Sequence, residues 1–136
     1  MGFVYEDITL KNAYDVGSVE RGIISESEIS QVSMSVMVDT GAGTLIISEA
    51  IRQELGLGVK GEKKVRLADR SFATCKIADP VEIHWKDRCM ITDAMVLDEM
   101  NEVLLGAIPL EGLDVIIDPL NQKLIGAHGD EAVCRV

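Results

Sequence analysis

Aromatic residues are scarce, with two Phe, two Tyr and one Trp among 136 residues. Since 47% of the residues are apolar, the core has to be aliphatic, built from Ile, Val, Leu and Met. Proline is scarcer still at three, and no repeat or Pro/Gly-rich linker divides the chain. A single domain over 1–136 is expected, because a chain of this size buries roughly 68% of its unfolded surface. Positive charge is also short. Lys+Arg 13 against Asp+Glu 23 leaves a net charge of −10. Polyanions and anionic bilayers repel such a surface, which argues against nucleic-acid and membrane partners.

No apolar run approaches the ~18 residues that a membrane span needs. The N-terminal Met1-Gly2-Phe3-Val4-Tyr5-Glu6-Asp7 lacks the basic and apolar regions of a signal peptide. Cysteine is limited to Cys75, Cys89 and Cys134, an odd number at wide spacing. That is neither a disulfide framework nor a zinc pattern. The two lone histidines, His84 and His128, add no obvious ligand set. A cytoplasmic protein without metal or cofactor is the expectation, its thiols buried and inert. Mean hydropathy is +0.18, high for so charged a chain, and the apolar surplus points to a partner subunit.

What is present is strand-like. Phe3 to Leu10 reads as a first strand, and Val32, Met34, Val36 and Val38 alternate cleanly in a second. Residues 12–27 between them are expected to be an insertion. Val16, Val19 and Ile23 have helical spacing there, but Gly17 and Gly22 weaken it. Thr44 to Ile47 is a short strand. Ser48 caps a helix that should end at Gly56-Leu57 in a Schellman turn. Further strands are expected at Lys63–Leu67, Phe72–Ile77, Val81–Trp85, Cys89–Leu97 and Val103–Leu105. Pro109 starts a second short helix that stops near Gly112. Val115–Asp118 and Lys123–Ile125 form a last hairpin, followed by a tail over 126–136. Lys60, Lys63, Lys64 and Arg66 read as a solvated basic face. Many short strands with one or two short helices predict a mainly β fold, a closed barrel or sandwich.

One segment carries chemistry. Val38-Asp39-Thr40-Gly41-Ala42 ends an apolar strand and opens a glycine-rich turn. A carboxylate held by such tight backbone suits acid–base work. The tripeptide alone is weak, since Asp-[Ser/Thr]-Gly arises by chance in on the order of one such chain in twenty. A turn in which Asp39 bonds only its own backbone stays open at this point.

A second segment changes the odds. Val103-Leu104-Leu105-Gly106 is an apolar strand ending in glycine, with Ala107-Ile108-Pro109-Leu110-Glu111 directly after it. Ile51-Arg52-Gln53-Glu54-Leu55-Gly56-Leu57, Val65-Arg66-Leu67-Ala68-Asp69 and Ile117-Asp118-Pro119 are spaced blocks in the same order. Together they make the chain similar to the retroviral-type (retropepsin-like) aspartic protease family, in its small bacterial branch.

The resemblance implies the acid protease fold and a set of roles. Asp39 would be the catalytic aspartate, and Thr40, Gly41 and Ala42 the rest of the active-site loop. Thr40 would bond to its copy in a partner subunit, and the Gly41 carbonyl would meet substrate backbone. Leu104, Leu105 and Gly106 would pack under that loop, and Ala68, Asp69, Arg70 and Ser71 would form a flap over the cleft. Only one Asp-[Ser/Thr]-Gly is present, so an active form would be a homodimer acting on a peptide or protein substrate. Two departures stand out. Gly43 and Ala107 replace the Asp and Arg that form an ion pair behind the cleft in retroviral relatives, so both charges are lost together. Arg70 stands at the flap tip in place of a glycine run. The alternative they leave is a catalytically silent dimeric module that holds a peptide in the same cleft.

Overall fold

Alternating Val and Met residues put one face of β2 (Gln31–Val38) inward, with Val36 and Val38 buried and Ser33 and Ser35 exposed. In the computed structural model, which describes residues 3–98 and 102–133, this strand pairs antiparallel with β1 (Val4–Asn12), from Val4↔Val38 to Lys11↔Gln31. Cys134 and the end of the tail lie outside the described residues. β1 is followed by α1 (Ala13–Glu20), then by a 3-10 turn over Glu26–Glu28. The segment read as an irregular insertion thus contains a helix. Asn12 caps it through its side chain, which accepts from the backbone N–H of Tyr14 and Asp15. Ile23, expected on the helix face, lies beyond its end and is exposed.

The remaining strands are β3 (Leu45–Ile47), β4 (Val59–Arg66), β5 (Phe72–Trp85), β6 (Arg88–Val96), β7 (Leu104–Leu105), β8 (Val115–Asp118) and β9 (Lys123–Gly126). The helices α2 (Glu49–Glu54) and α3 (Ala107–Gly112) follow β3 and β7. Two strands expected on either side of Asp79-Pro80 are one. β5 absorbs the proline at a register shift between Ala78 and Pro80, where no ladder N–H is needed from it. The Asp79 carboxylate is held by the Gly58 N–H at 2.7 Å.

The length of β5 closes the fold. Its first half pairs with β4, and its second half pairs with β1 from Val81↔Asn12 to His84↔Thr9. Six strands form a ring in the order β1-β2-β7-β3-β6-β5, with β4 flanking β5. The barrel is filled by Leu10, Leu45, Ile47, Ile83 and Leu105, all fully buried. Each such side chain contributes roughly 2 kcal/mol by leaving water. Trp85 is the one aromatic residue in the core, while Phe3, Tyr5, Tyr14 and Phe72 are exposed. The aliphatic core expected from composition is what forms.

The β8–β9 hairpin is fastened to β1 through Glu6. This carboxylate accepts from the Leu124 N–H at 2.7 Å and from Trp85 Nε1 at 3.3 Å. No helix among the described residues is long and apolar enough to cross a membrane.

Candidate active site

Asp39 sits where β2 ends and the barrel wall must turn. Its N–H donates to the Leu105 carbonyl at 3.0 Å, so the catalytic-loop candidate starts from a fixed point on β7. A tight turn follows, with the Ala42 N–H donating to the Asp39 carbonyl at 3.1 Å. The Gly41 N–H donates to Asp39 Oδ1 at 2.9 Å, which orients the carboxylate. Asp39 is half-buried, and Thr40 and Gly41 are exposed. The feared alternative, a carboxylate turned onto its own backbone, is half true. One oxygen is held locally, and the group still faces a depression of about 270 Å³ lined by Phe3, Val38, Thr40, Ile117 and Pro119.

The Leu104-Leu105-Gly106 segment is brought against this turn. Leu104 and Leu105 pair with Met37 and Val38 on one side and with Ile46 and Leu45 on the other. Three backbone bonds then latch the turn: Gly106 N–H to Thr44 O (3.0 Å), Ala107 N–H to Ala42 O (2.9 Å) and Ile108 N–H to Gly43 O (3.1 Å). Gly106 is required by space. A Cβ there would lie 2.4 Å from Thr44 O and 2.6 Å from Ala42 O. Gly43 is different, because nothing lies within 4 Å of where its Cβ would be.

Ala68, Asp69, Arg70 and Ser71 form the exposed tip of the β4–β5 hairpin. The Leu67 N–H donates to Ser71 O at 2.8 Å, and the Arg70 N–H to Leu67 O at 2.9 Å. Asp69 Oδ1 accepts from the Ser71 hydroxyl and from its N–H, which lowers the Asp69 carboxyl below its usual range. Arg70 adopts φ 71°, a conformation that favours glycine. The tip is therefore a closed, strained turn and not a pliable glycine run. Behind it a depression of about 320 Å³ is lined by Leu67, Ala73, Cys75, Val96 and Leu97. Among the described residues no hydrogen bond joins this tip to the Asp39 turn.

The basic residues of β4 are exposed, as expected of a solvated face, with Lys60 paired to Asp93 at 2.7 Å and Lys64 over the Phe72 ring. Cys75 is buried, and burial raises its thiol pKa. Cys89 is exposed, contrary to the expectation of a buried thiol, because it points outward from the end of β6. Its Sγ lies 3.6 Å from both Glu82 Oε1 and His84 Nε2. Desolvation and the Glu82 charge push this thiol up to about 11, so it is not a ready nucleophile. The expectation that no ligand set converges is thereby corrected: register brings together three residues that look unrelated along the chain.

Two supporting residues escaped the sequence reading. Asn12 is buried and donates through Nδ2 to Leu55 O at 3.0 Å, tying α1 to the end of α2. Arg88 is buried and donates to the carbonyls of Leu113, Asp114 and Gly129, pinning the chain after α3 to the β5–β6 hairpin. His128 and Val133 complete this cluster on the Asp114 carboxylate. Their partners are mostly backbone atoms remote in sequence, so no spacing signals them.

The model of a family described as Aspartyl protease matches residues 25–107, which include the Asp39 turn, the flap tip and the Gly106 segment. No curated protein matches the chain. Among solved structures, EIAV protease complexed with the inhibitor HBY-793 is 26% identical, over 58% of this chain and 75% of that one, with a TM-score of 0.48.

Proposed function

Since the chain belongs to the retropepsin-like aspartyl protease family, we propose that it is an aspartic endopeptidase acting as a homodimer, with one Asp39 from each subunit. The observation that carries this reading is the Asp39 turn itself. Its carboxylate is half-buried, oriented by Gly41 and latched through Gly106, yet one chain supplies one such group. Peptide hydrolysis by this chemistry needs two. A second copy related by a two-fold axis supplies the other.

Two carboxylates about 3 Å apart cannot both ionise cheaply, so the pair holds one proton. The ionised Asp39 takes a proton from a water, whose oxygen attacks the peptide carbonyl. The protonated Asp39 gives its hydrogen bond to the developing oxyanion. A proton then passes to the leaving amine as the C–N bond breaks. Both apparent pKa values belong to the pair. Thr40 bonds across the two-fold axis in this reading, the Gly41 carbonyl meets substrate backbone, and the 68–71 tips cover the cleft.

The test is cleavage of a complex peptide pool by the purified protein across pH 4 to 7, beside Asp39→Asn. Asparagine keeps an Oδ1 for the Gly41 N–H, so the turn is retained. New termini from the wild-type protein alone are the expected result. Identical product patterns from the two proteins overturn the enzyme reading and favour a peptide-holding module.

A further inference from the structure

We propose that Glu82, His84 and Cys89 form a binding site for a borderline-soft divalent cation of the zinc class, on the outside of the barrel at the end of β5 away from the flap. Glu82 and His84 are two apart on β5 and so share one face. Cys89 is the direct cross-strand partner of His84 on β6. The three donor atoms converge, with His84 Nε2 to Glu82 Oε1 at 2.7 Å and Cys89 Sγ at 3.6 Å from each.

Tetrahedral zinc, with Zn–S of about 2.3 Å and Zn–N of about 2.0 Å, sets its sulfur and nitrogen ligands about 3.5 Å apart. The Cys89–His84 separation already matches that. The Glu82–His84 contact is now a hydrogen bond and has to open by roughly half an ångström to admit the ion. One sulfur, one imidazole and one carboxylate are a donor set for zinc-class ions and not for calcium or magnesium.

Charge fits as well. A thiolate and a carboxylate neutralise a divalent cation, so holding it at a half-buried wall is inexpensive. The Cys89 proton leaves to solvent as the Cys89 sulfur coordinates. Lys11 stands opposite Glu82 on β1 and Thr9 opposite His84, so the neighbouring strand adds one like charge, which the two anionic ligands have to outweigh. Cys89 is exposed, and His84 borders a depression of about 430 Å³ with Thr9 and Ser33. Both leave room for water as the fourth ligand. A site there joins two strands of the wall, and it depends on no feature of the Asp39 turn.

The experiment is titration of the reduced 136-residue protein with Co²⁺ alone, followed by competition with Zn²⁺. One equivalent bound, with a thiolate-to-cobalt charge-transfer band and d–d bands of tetrahedral intensity, is expected. Cys89→Ser should abolish the charge-transfer band. His84→Ala should weaken binding by about 100-fold or more. Cys75→Ser and Cys134→Ser should change neither. Binding unaltered in Cys89→Ser, a spectrum without sulfur ligation, or loss of the band in Cys75→Ser or Cys134→Ser instead overturns the proposal. Should the variants fold poorly, alkylation of wild-type Cys89 followed by mass spectrometry decides. Slowing by Zn²⁺ supports the site, and an unchanged rate overturns it.

Discussion

At the scale of single residues, two glycines of the Asp39 region look alike in sequence and differ in cause. Gly106 is held against three backbone atoms of the loop it supports, so a methyl group has nowhere to go. Gly106→Ala should cost about 3 kcal/mol or more in urea denaturation and should remove activity with it. Gly43 occupies open space without a positive φ. Gly43→Ala should therefore stay within about 0.5 kcal/mol of the wild type in the same measurement. Gly43 and Ala107 carry no charge and are both exposed, so neither position leaves a buried orphan charge behind the loop. Arg88 supplies a buried guanidinium elsewhere, but it serves backbone carbonyls behind α3 and not the loop.

At the scale of elements, α2 shows how far local chemistry dictates form. Ser48 Oγ accepts from the Ile51 N–H at 3.2 Å. At the other end Gly56 has φ +64°, and Leu57 N–H to Arg52 O with Gly56 N–H to Gln53 O completes the expected Schellman turn. Glu49 and Arg52, one turn apart, are ion-paired, and Arg52 holds the Glu49 carboxyl down to about 2 from its ordinary 4.5. A depressed folded-state pKa means stability present above the unfolded value and lost as pH falls through the folded one. Thermal melts should accordingly show a Glu49 contribution that is full above pH 4.5 and disappears toward pH 2. Glu49→Gln should flatten that part of the profile. The α1 end is less self-sufficient. Asn12 both caps α1 and reaches the C-terminus of α2, so Asn12→Ala should cost about 2–3 kcal/mol by urea denaturation.

At the scale of the whole molecule, one closed barrel presents one Asp39, and association is what the proposed chemistry requires. Two subunits of net charge −10 repel each other at long range, so contact has to come from apolar surface. Phe3, Tyr5, Ile116 and Leu120 are exposed on β1 and the β8–β9 hairpin or next to them, near the Asp39 turn, and are among the exposed apolar residues that could supply such contact. Sedimentation should show a species of twice 14.8 kDa at high concentration, favoured by added salt as screening weakens the repulsion. Specific activity should fall on dilution in step with the dimer fraction. A monomer at every concentration and salt level would remove the basis for a paired-Asp39 site.

Much of this protein is legible in local patterns along the chain. Alternation placed β2, capping chemistry placed α2, and Asp39 and Gly106 marked the candidate site. These features rest on local physics, meaning side-chain period, capping and the conformations a residue permits. The tertiary structure decided the rest. Only register shows that β5 is one strand serving two partners, and that a carbonyl at Thr44 forbids a side chain at Gly106. Register also brings Glu82, His84 and Cys89 to one point, and chain folding buries Arg88 among carbonyls. Such contacts join residues distant along the chain, and no local pattern encodes which backbone atoms will meet.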